Sequence, residues 1–404
     1  MPTSQRSPYA SPALQEAQDF SFVLGGPLFQ FFRRARLCDD ALQLLRRRIL
    51  FITLVAWLPL LVLSALQGTL VGHKVAVPFL LDVEVHIRFL VAVPLLITAE
   101  LVVHQRLQPV ALTFLERDLI PASALSRFNR ALTSAYRLRN STGAEVLLLV
   151  AVYAVGVLIV WRHYIALDVA TWYETPSAQG AQLLPAGIWY GYVSLPIFQF
   201  LLLRWYFRLF IWARFLWQVS RLRVSLIPTH PDRLGGLGFL SNTAYAFEVL
   251  LLAHGAMLAS QIANRIFFAG ARLPDFKLEI LVVAVFLLCL VFGPLLVFAP
   301  QLARAKRTGL NEYGTLAERY VRDFDVKWLR GGAPGDEQLV GSGDIQSLAD
   351  LSNSFEVVRT MRLAPVTRDA LLQLTAAILV PLGPLLLTMM PLEALLQKLL
   401  GLVF

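Results

Sequence analysis

The sequence predicts an all-α fold, a polytopic membrane helix bundle of about seven spans with cytoplasmic helical extensions. Three observations predict it. Hydrophobic residues make up 57% of 404 positions and mean hydropathy is +0.61, both outside the range of soluble domains. Apolar runs of about 20 residues recur, each long enough to cross roughly 30 Å of hydrocarbon. Basic residues alternate with these runs: 29 of the 36 Lys and Arg fall within 1–48, 104–144, 204–243 and 301–368. Cytoplasmic loops accumulate Lys and Arg, so the alternation places the N-terminus inside.

Residues 1–48 read as a cytoplasmic N-terminal segment. Within it, 20–36 is aromatic, broken by Gly25-Gly26-Pro27 and closed by Arg33-Arg34, the pattern of an interfacial helix. The first long apolar run begins near Ile49, behind Arg46-Arg47-Arg48. It is too long for a signal h-region and reads as a span that inserts and stays. The expected compartment is a plasma membrane, a bacterial inner membrane. Spans follow at 49–70, 88–105, 145–162, 187–207, 245–267, 279–300 and 369–390, the first six forming a bundle over 49–300. The outer connectors are then 71–87, 163–186 and 268–278.

Trp161, Tyr164, Trp172, Tyr173, Trp189, Tyr190 and Tyr192 gather at the outer side, and Trp205, Tyr206, Trp212 and Trp217 at the inner, as aromatic belts do. The fourth span continues through Arg204, Arg208, Trp212 and Arg214 to Arg223, reading as a protruding helix with snorkelling arginines. Residues 301–368 are the largest cytoplasmic piece. An amphipathic helix runs from Gln301 to Leu329, and Gly331 to Asp344 reads as a mobile loop. A second helix, capped by Asp344 and stopped by Pro365, packs through Ile345, Leu348, Leu351, Phe355, Val358 and Met361. Residues 369–404 supply the last span and a tail whose 392–404 portion is interfacial or re-entrant. Five spans carry internal prolines: Pro59, Pro94, Pro196, Pro294, and Pro381 with Pro384. Each frees a carbonyl that neighbours or water must satisfy. The recurring Pro-Leu-Leu string fits an internal repeat or chance in a leucine-rich chain.

Composition narrows the partners. The net charge of +9 needs no nucleic acid, because positive-inside loops give the same excess; the expected partner is the lipid bilayer. A cytoplasmic protein partner and homo-oligomerisation stay open. Cys38 and Cys289 belong to a cytoplasmic segment and a span, so neither a disulfide nor a thiolate metal site is expected. No nucleophile–base pair and no complete metal-ligand set is legible, so no catalytic residue, metal or cofactor is assigned and an enzyme is not expected.

Four constellations could carry chemistry. Asp82-Val83-Glu84-Val85-His86-Ile87-Arg88 alternates charge with apolar residues. As a strand it would present four ionisable groups on one face, an outer ion-sensing patch that His73 could join. As a helix it would pair Asp82 with His86 and Glu84 with Arg88. Glu100 and His104 lie i,i+4 near the inner end of the second span. An intramembrane carboxylate is either functional or paired, here with Arg204 or Arg208. In the fifth span His254, Gln261 and Arg265 share a face, with Glu248 and Asn264 to the sides. Such a stripe lines a transport or proton path, or serves as interhelical glue. Finally, Thr229-His230-Pro231-Asp232 precedes Gly235-Gly236-Leu237-Gly238. His230 with Asp232 could hold a metal and the glycine amides an anion; the same string also makes a rigid turn into the fifth span.

Val77-Pro78-Phe79-Leu80-Leu81-Asp82 with Arg88-Phe89-Leu90, Thr229-His230-Pro231-Asp232 through Gly238, and Gly341-Ser342-Gly343-Asp344-Ile345-Gln346-Ser347-Leu348-Ala349-Asp350 together resemble a family of bacterial polytopic membrane proteins with no established function. The resemblance spans most of the chain and implies a membrane location; it carries over no active residue. The leading expectation is a channel or transporter for an ion or small solute; the alternative is a membrane scaffold or sensor that docks a cytoplasmic partner through 301–368. A single hydrated cavity shared by Glu100, His254 and Arg265 would favour the first, and separate partners for each the second.

Overall fold

The computed structural model describes residues 45–72, 74–161, 171–175 and 182–389. The interfacial helix at 20–36, Cys38, His73, Tyr164 and the 392–404 tail lie outside the described residues. Those described are all-helical apart from one small hairpin. Nine helices follow in order among them: α1 (Leu45–Leu66), α2 (Val83–Glu116), α3 (Ala122–Arg139), α4 (Thr142–Ala151, continued by the π-helical Val152–Trp161), α5 (Pro185–Ser220), α6 (Leu237–Ala269), α7 (Leu273–Leu329), α8 (Gly343–Arg359) and α9 (Arg368–Thr388). The two-residue strands β1 (Glu174–Thr175) and β2 (Gln182–Leu183) pair antiparallel before α5.

Six of these helices are long and apolar enough to cross a membrane, and α3 with α4 forms a bent pair that meets the same test. Contacts show which face each end occupies. Glu145, at the start of α4, lies 3.7 Å from Arg204 of α5, while the Tyr153 hydroxyl, two turns on, donates to the Tyr192 carbonyl at 3.2 Å. Helices α4 and α5 therefore run antiparallel over the same thickness, and α4 with its continuation spans about 30 Å at 1.5 Å per residue. Six helices, or seven with the bent α3–α4 pair counted as one span, are thus long and apolar enough to cross. One face carries the starts of α1 and α4 and the end of α5 (the basic face), and the opposite face carries the hairpin.

α2 sits at the centre, against α1, α5 and α6; α6 also packs on α9, and α5 on α3 and α7. Prolines set the local geometry. Before Pro94 and Pro196 the chain widens into π-turns, Ile87–Ala92 and Tyr190–Ser194, where Val93 N–H donates to the Arg88 carbonyl and Leu195 N–H to Tyr190. A proline cannot supply the next amide, and the wider turn absorbs the register change. Pro59 is handled by a neighbour: the Val55 carbonyl it deprives accepts from Trp189 Nε1 at 3.3 Å, and the adjacent Ala56 carbonyl from Ser194 Oγ at 2.6 Å. Pro294 and Pro384 fall in 3₁₀ stretches, Gly293–Phe298 and Val380–Thr388.

Several expectations change. Trp172, Trp205 and Trp212 are fully buried and Tyr190 nearly so, so they are not belt residues. An indole N–H can plug an interior acceptor, as Trp205 does on the Leu96 carbonyl at 2.9 Å. Arg204 and Arg208 are buried rather than snorkelling, because α3 and α4 cover that part of α5. Asp344 is not the cap of α8: Ser342 holds that position, and the Asp344 carboxylate accepts from Lys327 Nζ and Trp328 Nε1, both at 2.9 Å. These bonds and that of Lys327 to Glu337, at 2.6 Å, tie the 331–344 loop back to α7. α8 ends at Arg359, well before Pro365, with Thr360 N–H closing on the Glu356 carbonyl. On its apolar face, Ile345 is exposed while Val358 and Met361 are buried.

Candidate functional site

Near the basic face, Glu100 of α2 is 3% exposed and lies among arginines from two other helices. Arg48 Nη1 of α1 is 2.6 Å from Oε2; Arg208 and Arg204 of α5 reach Oε1 at 2.8 and 3.6 Å. Arg204 also faces Glu145 of α4. The i,i+4 spacing of Arg204 and Arg208 puts both on the α5 stripe that meets α2. Arg208 lies over the Trp205 ring at 4.9 Å. A carboxylate desolvated at this depth is tolerable only with such counterions, and removing one partner strands the rest. The geometry makes Glu100 a lock joining α1, α2 and α5. Pairing with Arg204 and Arg208 was legible in sequence; Arg48, which reads as an ordinary flanking positive charge, was not. His104, one turn along, is partly exposed, and the Glu100 contacts go to the arginines.

The Asp82–Arg88 stretch is helical, opening α2. Asp82 caps it: Oδ1 accepts from Val85 N–H at 3.3 Å and Asn264 Nδ2 at 2.8 Å, and Oδ2 from Trp172 Nε1 at 2.8 Å. Asn264 Oδ1 in turn accepts from Val83 N–H at 3.1 Å. Glu84 pairs with Arg88, whose guanidinium also donates to the Tyr190 hydroxyl and lies 5.6 Å from the Phe198 ring centre. His86 does not pair with Asp82; its Nδ1 accepts from Trp57 Nε1 at 3.0 Å, and its ring stands edge-on to Phe79 at 5.0 Å. Asp82 and Arg88 are buried. The four ionisable groups thus bind helices and connectors together rather than forming an open ion-sensing face. Trp57, Trp172 and Tyr190 are the partners sequence reasoning missed, each an aromatic with a polar tip beside a charged run.

The α6 stripe also divides. His254 bonds the Leu250 carbonyl through Nδ1 at 2.7 Å and the Tyr206 hydroxyl of α5 through Nε2 at 2.8 Å. Arg265 pairs with Glu279 of α7 at 3.1 Å and overlies Phe276 at 5.6 Å, both in an exposed setting. Gln261 is exposed, and Glu248 accepts from Gln373 of α9 at 2.9 Å. Glu100, His254 and Arg265 have separate neighbours.

In the loop before α6, the seat that glycine amides could offer an anion is filled from within. Asp232 Oδ1 accepts from Leu234 N–H at 2.7 Å and Gly236 N–H at 3.2 Å, and Oδ2 from Gly238 N–H at 2.7 Å. His230 Nδ1 lies 2.9 Å from Oδ1. The turn needs left-handed backbone at Gly235 and Gly236, φ 63° and 100°, which glycine adopts without strain. Partial burial pushes the Asp232 carboxyl up, but the amides of Leu234, Gly238 and Gly236 and the nearby His230 outweigh it and hold it below its ordinary value.

One group escaped sequence reasoning entirely. Glu174 in β1 is 1% exposed, and among the described residues neither carboxylate oxygen has a hydrogen-bond partner. Burial raises its carboxyl from 4.5 to about 7. Nothing in a two-residue strand flanked by connectors signals such an acid. Among the described residues, no group of three or more His, Cys, Asp or Glu could hold a metal, and Cys289 is a free, exposed thiol. No family model, curated protein or solved structure matches the chain.

Proposed function

We propose that this integral membrane protein is a scaffold that docks a partner protein on its basic, cytoplasmic face through residues 301–368. The observation that carries this reading is the tip of α7. The helix runs on for 57 residues, on the order of 85 Å, far past the roughly 30 Å a bilayer covers. It packs against α8 yet presents Val321, Val326 and Leu329 to solvent, with Val340 of the following loop 89% exposed. Lipid covers exposed apolar residues within a span; this far along α7 a protein partner serves that role. The bacterial inner membrane and the inward N-terminus belong to the same proposal, supported by the arginine distribution and the family resemblance.

Transport, the competing reading, asks Glu100, His254 and Arg265 to share one path, and their separate partners favour the scaffold. The two are distinguished by experiment. A photo-crosslinking amino acid at Leu329 or Val340 in host membranes should give one discrete protein adduct, absent when the same probe sits at Arg307. Adducts to lipid alone would refute docking. Proteoliposomes should hold an imposed proton gradient as long as protein-free vesicles do; a leak that His254→Ala abolishes would reinstate transport.

A further inference from the structure

Where α5 and α7 leave the apolar zone on the basic face they enclose a cavity of about 910 Å³. Its walls come from the end of α5 (Trp217), the segment after it (Arg221, Arg223, Val224) and the middle of α7 (Pro300, Arg304). Gln301 ties these walls together, donating through Nε2 to the Ser220 and Leu222 carbonyls, both at 2.6 Å. A second concavity of about 750 Å³ runs along the same two helices into the apolar zone, lined by Leu209, Phe210, Leu290 and Pro294. The two share Trp217 and Val297. An arginine-lined chamber thus adjoins an apolar groove along the same two helices.

We propose that this pair of concavities binds one membrane phospholipid, its phosphodiester headgroup held by Arg221, Arg223 and Arg304 and an acyl chain lying in the groove. Charge complementarity carries the assignment. Among the described residues, none of the three arginines has a carboxylate partner; Arg221 lies over the Trp217 ring at 5.3 Å, leaving its N–H donors for an oxyanion. Among the described residues, the one acidic side chain lining the chamber, Glu312, lies two turns beyond Arg304 on α7, about 12 Å along the axis. Three cations against one anion select a headgroup with a net negative charge over a zwitterion. The groove owes part of its depth to Gly293, where an added Cβ would meet nothing within 4 Å. Arg214, also in the groove wall, is engaged with Ser134 at 2.6 Å.

Native mass spectrometry of the full-length protein, delipidated in detergent and titrated separately with phosphatidylglycerol, phosphatidylcholine and inorganic phosphate, tests the site. One phosphatidylglycerol should bind at least fivefold more tightly than phosphatidylcholine. Arg223→Gln with Arg304→Gln should erase that preference, and Gly293→Leu, which adds bulk at a position where a Cβ meets nothing within 4 Å, should weaken both lipids. Equal affinity for the two lipids, or a preference unchanged in the arginine variant, would overturn the headgroup assignment. Displacement of phosphatidylglycerol by millimolar phosphate, or unchanged lipid binding in Gly293→Leu, would overturn the lipid in favour of a bare anion site. If the arginine variant does not fold, the wild-type lipid comparison and Gly293→Leu decide the matter.

Discussion

At the scale of single residues, the buried charges divide into those whose partners are fixed and Glu174, which has none among the described residues. Glu100 belongs to the first group. Glu100→Gln removes the counterion shared by Arg48, Arg204 and Arg208 and should cost about 3–5 kcal/mol, the usual penalty for stranding buried charge. Arg204→Met should cost less than Glu100→Gln, since Arg48 and Arg208 keep the closer contacts to Glu100, although Glu145 loses its contact with Arg204. Thermal unfolding in detergent ranks the two; equal losses would refute the lock. Glu174 is the opposite case. Its carboxyl is raised from 4.5 to about 7, so the fold disfavours the charged form. The penalty is absent below pH 4.5, grows as the pH rises, and is complete above about 7. A shift of that size corresponds to a penalty on the order of 3 kcal/mol. Glu174→Gln should therefore raise the unfolding temperature at pH 8 and leave it unchanged at pH 4. A pH-independent effect would assign the change to packing instead.

At the scale of elements, the passes were legible because bilayer thickness dictates run length, and soluble folds rarely need runs near 20 apolar residues. How each helix deviates was not legible. Pro59 announces a missing donor, but Trp189 and Ser194, which answer it, lie far along the chain. The same distance hid the Arg48–Glu100 contact. The turn before α6 was readable as a rigid Pro-Asp turn, yet its reason, a carboxylate seated in its own glycine amides, emerges only in three dimensions. Two experiments address these devices. Trp189→Phe should cost about 1 kcal/mol, and Pro59→Ala, which restores an amide to the Val55 carbonyl, should remove part of that cost; strict additivity would show that the indole does not serve the freed carbonyl. Asp232→Ala exposes the amides of Leu234, Gly236 and Gly238, and should lower stability by about 1–3 kcal/mol. Sulfate at millimolar concentration should restore part of that loss in the variant alone; equal effects on both proteins would mean that the vacated seat takes no anion.

At the scale of the whole molecule, the count and direction of the passes form one linked prediction. Seven crossings place the start of α1 and the end of α9 on opposite faces, and the arginine distribution sets which face is inside. The third crossing is the critical one, because α3 and α4 bend by 48° where they meet, and the seven-pass arrangement requires α4 to cross there. With Cys38 and Cys289 replaced by serine, single cysteines at four exposed positions report the arrangement. Gln182→Cys in the hairpin and Lys277→Cys at the start of α7 should react with a membrane-impermeant maleimide in intact cells. Arg137→Cys near the end of α3 and Ser347→Cys in α8 should react only after permeabilisation. Labelling of Arg137→Cys and Gln182→Cys from the same side would reduce the count to six. It would also contradict the antiparallel pairing of α4 with α5, since Arg204 meets Glu145 at one end and Tyr192 meets Tyr153 toward the other. The complete inverse pattern would keep the bundle and reverse its orientation, moving the α7–α8 pair and its exposed tip outside the cell.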